Sequence, residues 1–156
     1  MGVDEADGEI YRKHADELTR FATGLVGPSH APDVVSDAVL RAMNSETWAR
    51  AVDRRAYLIR CVYNEAAQHH RSTGRRRARE ERVALPESVD QPDIRPEVLS
   101  AVARLSLRQR AVIVLTYWDD LDPAAVAGLL DISDGVVRRH LARGRSRLKE
   151  VLDADT

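Results

Sequence analysis

The sequence predicts an all-α protein made of two small helical domains, which a flexible linker joins. Apolar residues recur at helical spacing in both halves of the chain, and no segment shows the alternation typical of a strand. Between the halves, residues 80–97 contain three prolines and six acidic residues without a sustained apolar period. We therefore expect one domain at residues 1–79, a linker at residues 80–96 and a second domain at residues 97–156.

The first domain is predicted to contain three helices. The first runs from about Gly8 to Leu25, and "VGPSHAP" then breaks the pattern with one glycine and two prolines. The second runs from Pro32 or Asp33 to Met43 and is followed by "NSETWARAVD", which we interpret as a loop or short turn. The third and longest begins near Arg54 and enters a run of arginines, where Gly74 is expected to fray or end it.

The second domain is predicted to begin near Pro96, because proline suits the first turn of a helix. One helix carries apolar residues as far as Leu105, and "LRQRAVIVLTYW" forms the next. Its "VIVL" could by itself be a strand, but the flanking residues continue the helical pattern.

A helix-turn-helix pattern follows. Asp122 and Pro123 form a helix start, and "PAAVAGLL" supplies two apolar turns with small residues. "DIS" is a short turn, and Ser133 can cap the next helix, which is expected to bury Val136 or Val137 together with Leu141 and Leu148. Two helices joined by such a turn form a helix-turn-helix motif, and its second, basic helix fits the major groove of DNA.

The basic residues are concentrated although the formal net charge is only −1. Residues 71–82 and 138–149 together hold half of the 24 Lys and Arg residues. Two basic clusters in an otherwise acidic chain indicate two contacts with a polyanion. The alternative is that these arginines are simply solvated. The scarcity of acidic partners on the second basic helix argues against it.

Composition and motifs exclude several classes. No apolar run approaches the roughly 20 residues of a membrane span, and the acidic "MGVDEADGEI" is unlike a signal or transit peptide. Cys61 is the single cysteine, which excludes a disulfide framework or a cysteine-based zinc site, and it is interpreted as a core residue. Without a P-loop, HExxH or G-x-S-x-G motif, we expect no enzyme and no cofactor. Since the sequence shows no membrane span, no targeting peptide and no disulfide framework, we expect a cytoplasmic location. His69 and His70 are interpreted as surface residues of a helix.

Two segments carry a resemblance to a known family. "LSLRQRAVIVLTYWDDLDPAAVAGLLDISDGVVRRHLARGRSRLKEVL", residues 105–152, resembles region 4, the promoter-binding domain of bacterial sigma factors of the extracytoplasmic-function type. "APDVVSDAVLRA" and "RAYLIRCVYNEAAQHHRSTGRRR" are similar to region 2 of the same family. The resemblance covers nearly the whole chain in the right order. It implies an alternative sigma factor that binds core RNA polymerase at its clamp and flap, contacts duplex and single-stranded promoter DNA, and is controlled by an anti-sigma factor.

The resemblance also implies site residues. Those expected to contact the polymerase clamp are Asp33, Ser36, Asp37, Leu40 and Arg41. Those expected at the −10 element are Trp48, Tyr57, Arg60, Asn64, Gln68, Arg71, Arg75 and Arg76. Those expected at the −35 element are Ser133, Val136, Arg138, Arg139, His140, Arg143 and Arg147. Arg145 and Arg147 are expected at phosphate or polymerase.

The chemistry of these residue types suits the roles. Asn64 can both donate to and accept from an exposed base edge, and an arginine can pair with guanine O6 and N7. Tyr57 offers a stacking face, and the "NSETWARAVD" loop would help to hold an extruded base. The competing interpretations are core packing for Trp48 and Tyr57, and a simple first-turn acid for Asp33.

The chain also departs from the family pattern. Ser36, Asp37, Val39 and Met43 replace the usual Gln, Glu, Phe and Trp of the clamp-binding helix. Asp131 replaces the usual glycine of the turn, and aspartate tolerates a left-handed backbone better than most residues. Two alternatives stay open: a stand-alone helix-turn-helix regulator, and a degenerate sigma-like protein that binds regulatory partners.

Overall fold

The computed structural model describes residues 5–77 and 95–154, with the side chains of residues 74–77 outside the description. The described ranges hold eight helices and no strand, which confirms the predicted all-α class. The chain divides into two compact units, Met1–Gln91 and Pro92–Thr156. The predicted linker lies almost entirely outside the described residues, so its limits at residues 80 and 96 stay a prediction.

The first unit contains α1 (Glu5–Val26), α2 (Ala31–Met43), α3 (Glu46–Arg50) and α4 (Arg54–Arg77). The prediction of a loop at "NSETWARAVD" was wrong in part, because its middle forms α3, a helix of five residues. A single buried tryptophan in α3 produces no apolar period that could have indicated this helix. The helix α4 also continues past Gly74, where fraying was expected.

The core of the first unit lies where α1, α2 and α4 pack on one another. The apolar residues of α1 that are fully buried are Leu18, Phe21, Ala22 and Leu25. Those of α4 are Leu58, Ile59, Val62 and Ala66, and α2 adds Ala31 and Ala38. Because each helix buries one stripe, the opposite faces of α2 and α4 are left to solvent.

The second unit contains α5 (Pro96–Val102), α6 (Leu107–Tyr117), α7 (Pro123–Leu130) and α8 (Asp134–Ala154). The N-termini of α6 and α7 are both capped by the polar side chain that precedes the helix. Ser106 and Gln109 form a reciprocal capping box, and the Asp122 carboxylate accepts from the Ala125 amide at 2.8 Å. Asp131 ends α7 in the left-handed conformation with φ 56°, as expected of the residue in this position.

The interior of the second unit is made by α6, α7 and α8. Val137 is fully buried and Val136 half-buried, which decides between the two valines. Leu141 is buried as predicted, whereas Leu148 is only half-buried. At Gly144 the helices α8 and α6 approach so closely that an added Cβ would lie 3.0 Å from Ile113 Cγ1.

Candidate functional site

One face of α2 is exposed and polar. The five residues expected at the polymerase clamp occur at positions spaced by three, four, seven and eight residues, so they share one side of the helix. All five are exposed, and Leu40 stands out as an apolar side chain that is 52% exposed. Arg41 forms an ion pair with Glu65 of α4 at 2.8 Å, which ties the end of this face to the neighbouring helix.

A second exposed stripe runs along α4. Asn64, Gln68 and Arg71 are exposed at successive turns, and Arg60 is half-exposed one turn before them. The stripe thus carries two neutral amides between two cations, Arg60 and Arg71. Arg75 and Arg76 continue the helix, but their side chains lie outside the described residues.

The two aromatic residues expected at the −10 element are packed into the first unit. Trp48 is only 4% exposed, and its Nε1 donates to Asp7 Oδ1 at 2.9 Å. This cover favours the core-packing interpretation of Trp48 over a stacking contact with a base. Tyr57 is half-buried, with its hydroxyl 2.8 Å from Ser45 Oγ and its ring 6.2 Å from that of Trp48.

The exposed face of α8 carries the basic residues of the helix-turn-helix. Ser133 Oγ accepts from the Val136 amide at 3.2 Å, which confirms the predicted cap. The exposed arginines expected at the −35 element are Arg138, Arg139, Arg143 and Arg147. Because the first two turns of α8 carry an exposed Arg138 and Arg139, this end of the helix suits insertion into a major groove.

His140 lies half-buried among these arginines. Burial, followed by the charges of Arg108, Arg139 and Arg143, lowers the pKa of His140 below its ordinary value. Its Nδ1 is buried and has no hydrogen-bond partner in the described ranges. Arg108 comes from the first turn of α6, so a second helix contributes positive charge to this surface. Arg108 was not among the residues expected at DNA, although "LRQR" at the start of a helix beside a basic helix is a usable signal.

Arg145 differs from the other basic residues of α8. Its Nε donates to the Tyr117 hydroxyl, and its guanidinium carbon lies 5.5 Å from the centroid of the Tyr117 ring. Tyr117 itself is 48% exposed. Within the described residues Arg145 is therefore held by an intramolecular contact with α6.

The adjacent histidines of α4, His69 and His70, were interpreted as surface residues of a helix, but the structure places them partly inside the first unit. Both are half-buried, and His70 Nε2 donates to the carbonyl oxygen of Leu25 at 2.8 Å. The His69 ring lies 4.5 Å from the ring of His30. Burial, with the neighbouring His30 and His70, lowers the pKa of His69. Residues 5–77 and 95–154 contain no group of three or more ligating side chains that could hold a metal, and no helix among them could span a membrane.

Comparison with known proteins identifies both units. Residues 10–76 match the profile described as Sigma-70 region 2, and residues 95–148 match Sigma-70 region 4. The RNA polymerase sigma-E factor of Streptomyces antibioticus is 30% identical over 152 residues, which span 93% of this chain and 83% of that protein. The sigma-E factor of Streptomyces coelicolor is 31% identical over 155 residues, spanning 94% and 85%. The ECF RNA polymerase sigma factor SigL of Mycobacterium tuberculosis is 30% identical over 142 residues, spanning 85% and 80%.

Solved structures share the fold. The sigma factor RpoE of Bartonella quintana, solved with the anti-sigma factor NepR, has a TM-score of 0.73 at 21% identity and covers 98% of this chain and 100% of its own. CnrH, solved with the cytosolic domain of CnrY, has a TM-score of 0.66 at 25% identity, covering 97% and 90%. The chain belongs to the bacterial RNA polymerase sigma factors of the extracytoplasmic-function type, and it is an alternative sigma factor that directs the polymerase to promoters.

Proposed function

We propose that the chain divides promoter recognition among three helices: α2 binds the polymerase clamp, α4 contacts the −10 element and α8 contacts the −35 element. The observation that carries this proposal is that each set of predicted contact residues falls mainly on one exposed helix face, while the opposite face is buried in its own unit. The predicted division at residues 1–79, 80–96 and 97–156 would then separate the two DNA contacts.

The face of α2 suits a basic helical partner that also has an apolar patch. Asp33 and Asp37 supply negative charge, and the half-exposed Leu40 supplies an apolar contact near the C-terminal end of the face. A rim of charge around an exposed apolar residue is the usual arrangement of a protein interface. The ion pair between Arg41 and Glu65 would hold α2 in register with α4 when the clamp binds.

The stripe of α4 suits bases that are no longer paired. Asn64 and Gln68 each present a donor and an acceptor, so they can satisfy the Watson–Crick edge of an exposed base. Arg71 follows at the next turn and suits the phosphate backbone. Tyr57 can offer only a partly buried ring, so we assign it a supporting role beneath the stripe.

The basic face of α8 suits the major groove of duplex DNA. Arg138 and Arg139 lie at its N-terminal end and can reach guanine O6 and N7, whereas Arg147 lies further along and suits phosphate. Ser133 caps the helix, and the amides of the first turn favour an anion at that end. Arg108 would extend the phosphate contacts to α6.

The protein works as a binding factor in the cytoplasm, where the polymerase acts, and it catalyses no reaction of its own. An anti-sigma factor is a further proposed partner. The support is that RpoE, which shares the fold, was solved with the anti-sigma factor NepR, and that CnrH was solved with the cytosolic domain of CnrY. The polymerase flap is the corresponding proposed partner of the second unit.

Core binding tests the proposal against its two alternatives. The purified chain is mixed with core polymerase, and complex formation is measured by gel filtration and by promoter-dependent transcription. A stand-alone regulator would fail to form the complex, and a degenerate sigma-like protein would not support transcription.

A matched pair of variants locates the interface. Leu40→Arg places a charge on the proposed clamp face, and we expect it to abolish complex formation without changing the fold. Val52→Arg alters an exposed apolar residue of the same unit that lies outside α2, and it should leave core binding unchanged. Equal binding by both variants would contradict the assignment of α2.

A further inference from the structure

The N-terminal helix α1 makes a polar contact with the segment that leads into α4. Asp7, in the first turns of α1, lies 41 residues before Trp48 in sequence and accepts its indole N–H at 2.9 Å. The same carboxylate oxygen, Oδ1, lies 3.9 Å from Arg54 Nη1. One side chain of α1 therefore touches both α3 and the first residue of α4.

Arg54 completes this cluster. Its guanidinium carbon lies 4.7 Å from the centroid of the Trp48 ring, so the cation covers a face of the indole while Asp7 holds the ring edge. The side chains of Asp7 and Arg54 are 18% and 33% exposed, so solvent screens this contact only partly. The three residues fix α3 against the start of α4.

The connection between α3 and α4 is short and projects outward from this cluster. Only residues 51–53 separate the two helices, and Val52 is fully exposed, at 104%. Asp53 Oδ1 accepts from the Ala56 amide at 3.0 Å, which fixes the entry into α4. The result is an exposed tip whose two ends are held by polar contacts.

We propose that Asp7 is a positioning residue for recognition of the −10 element: it holds Trp48 and Arg54, and thereby sets the position of the tip at residues 51–53 beside the α4 stripe. This inference rests on the proposed function of α4. It assigns to α1 a part in DNA recognition although none of its residues is expected to touch DNA. Specificity at the −10 element then depends on a contact made far away in sequence.

A second contact between α1 and α4 provides the control. Glu17 binds the Arg55 guanidinium through both carboxylate oxygens, with Nε–Oε2 at 2.9 Å, and joins the same two helices. It makes no contact with Trp48 or Arg54 among the contacts described. Glu17→Gln therefore weakens the packing of α1 on α4 without releasing the tip, whereas Asp7→Ala releases the tip.

The test uses the full chain bound to core polymerase. Promoter fragments are selected by the wild-type complex from a library randomised across the −10 element, and the opening of the selected fragment is followed by 2-aminopurine fluorescence. We expect Asp7→Ala to reduce opening about tenfold and to broaden the selected −10 bases, as the loss of one partly buried charge-assisted hydrogen bond predicts. Binding of core polymerase and of a −35 duplex should not change.

Conservative variants separate positioning from folding. Asp7→Asn keeps an acceptor for the indole and should recover part of the loss. Trp48→Phe removes the donor, so adding Asp7→Ala to it should cost less than in the wild-type background. Thermal unfolding monitors the stability of every variant. If Asp7→Ala and Glu17→Gln have the same effect on −10 preference at matched stability, Asp7 is only a structural contact and the inference is overturned. If the wild-type complex selects no −10 sequence, the proposed function itself fails.

Discussion

The two long helices α4 and α8 are both basic, and each carries the proposed DNA contact of its own unit. They are anchored in different ways. Polar contacts hold α4 along its length: Arg55 binds Glu17, Glu65 binds Arg41, and His70 binds the Leu25 carbonyl. The anchors of α8 are mostly apolar, apart from the bond of Arg145 to Tyr117, and at Gly144 the helix packs closely against Ile113. Both helices bury an apolar stripe, but α4 adds side-chain bonds to its neighbouring helices at three points along its length.

The exposed faces of α4 and α8 also differ in the kind of polar side chain that they carry. The stripe of α4 has the neutral amides of Asn64 and Gln68 at its middle, and these suit the hydrogen-bonding edges of unpaired bases. The face of α8 carries arginines, which suit phosphates and guanine in an intact groove. A helix that must select an extruded base needs directional control of its own position, and the contacts of Asp7 with Trp48 and Arg54 are proposed to supply it.

Overpacking at Gly144 tests the apolar anchoring of α8. Gly144→Leu forces side-chain atoms into Ile113, and we expect it to lower the free energy of unfolding by about 1–3 kcal/mol and to weaken −35 binding. Urea unfolding measures the loss. Gly128→Ala is the control, because nothing lies within 4 Å of its added Cβ; replacing glycine within a helix should raise stability by up to about 1 kcal/mol. A Gly144→Leu variant as stable as wild type would contradict close packing as the anchor.

Removing a single arginine tests whether α8 reads sequence. Arg139→Ala should cost about 1–3 kcal/mol of discrimination between the selected −35 duplex and a scrambled one, because a bidentate contact with guanine is lost. Fluorescence anisotropy on both duplexes measures it. Arg147→Ala should weaken both equally, as a phosphate contact does. Equal losses for Arg139→Ala on both duplexes would make it a phosphate contact as well.

One half-buried histidine in each helix predicts how the free energy of unfolding responds to acid. Burial comes first among the causes that lower the pKa of both His69 and His140. The unfolded chain, with an ordinary histidine pKa of about 6.5, then binds protons that the folded chain does not, so stability falls as pH falls through that value. His69→Gln and His140→Gln should each make stability less dependent on pH, measured by urea unfolding at several pH values. An unchanged pH dependence in both would contradict this cause.

The ion pair between α2 and α4 should give the smallest effect. Arg41 is 69% exposed, so we expect Arg41→Ala to lower the free energy of unfolding by only about 0.2–1 kcal/mol, and less at high salt. Thermal unfolding at low and high salt measures the difference. A larger, salt-independent loss would show that this polar anchor of α4 is stronger than its exposure indicates.

Much of the architecture was predictable because its causes are local. Helical periodicity located α1, α2, α4 and the helices of the second unit, and the caps at Asp122 and Ser133 follow from their side-chain oxygens. The exposed face of α2 was also predictable, since residues at these spacings must share a side of the helix. The short α3 was not, because five residues are too few to establish a period.

The sequence by itself determined the helices, the turn at Asp131 and the two clusters of arginine, because each depends on neighbours within a few turns of chain. Only the tertiary structure decided that Trp48 is covered, that Arg108 joins the surface of α8, that Val137 rather than Val136 enters the core, and that Asp7 bonds to α3. These outcomes depend on which distant helix packs against each side chain. Spacing along one helix carries no information about that partner.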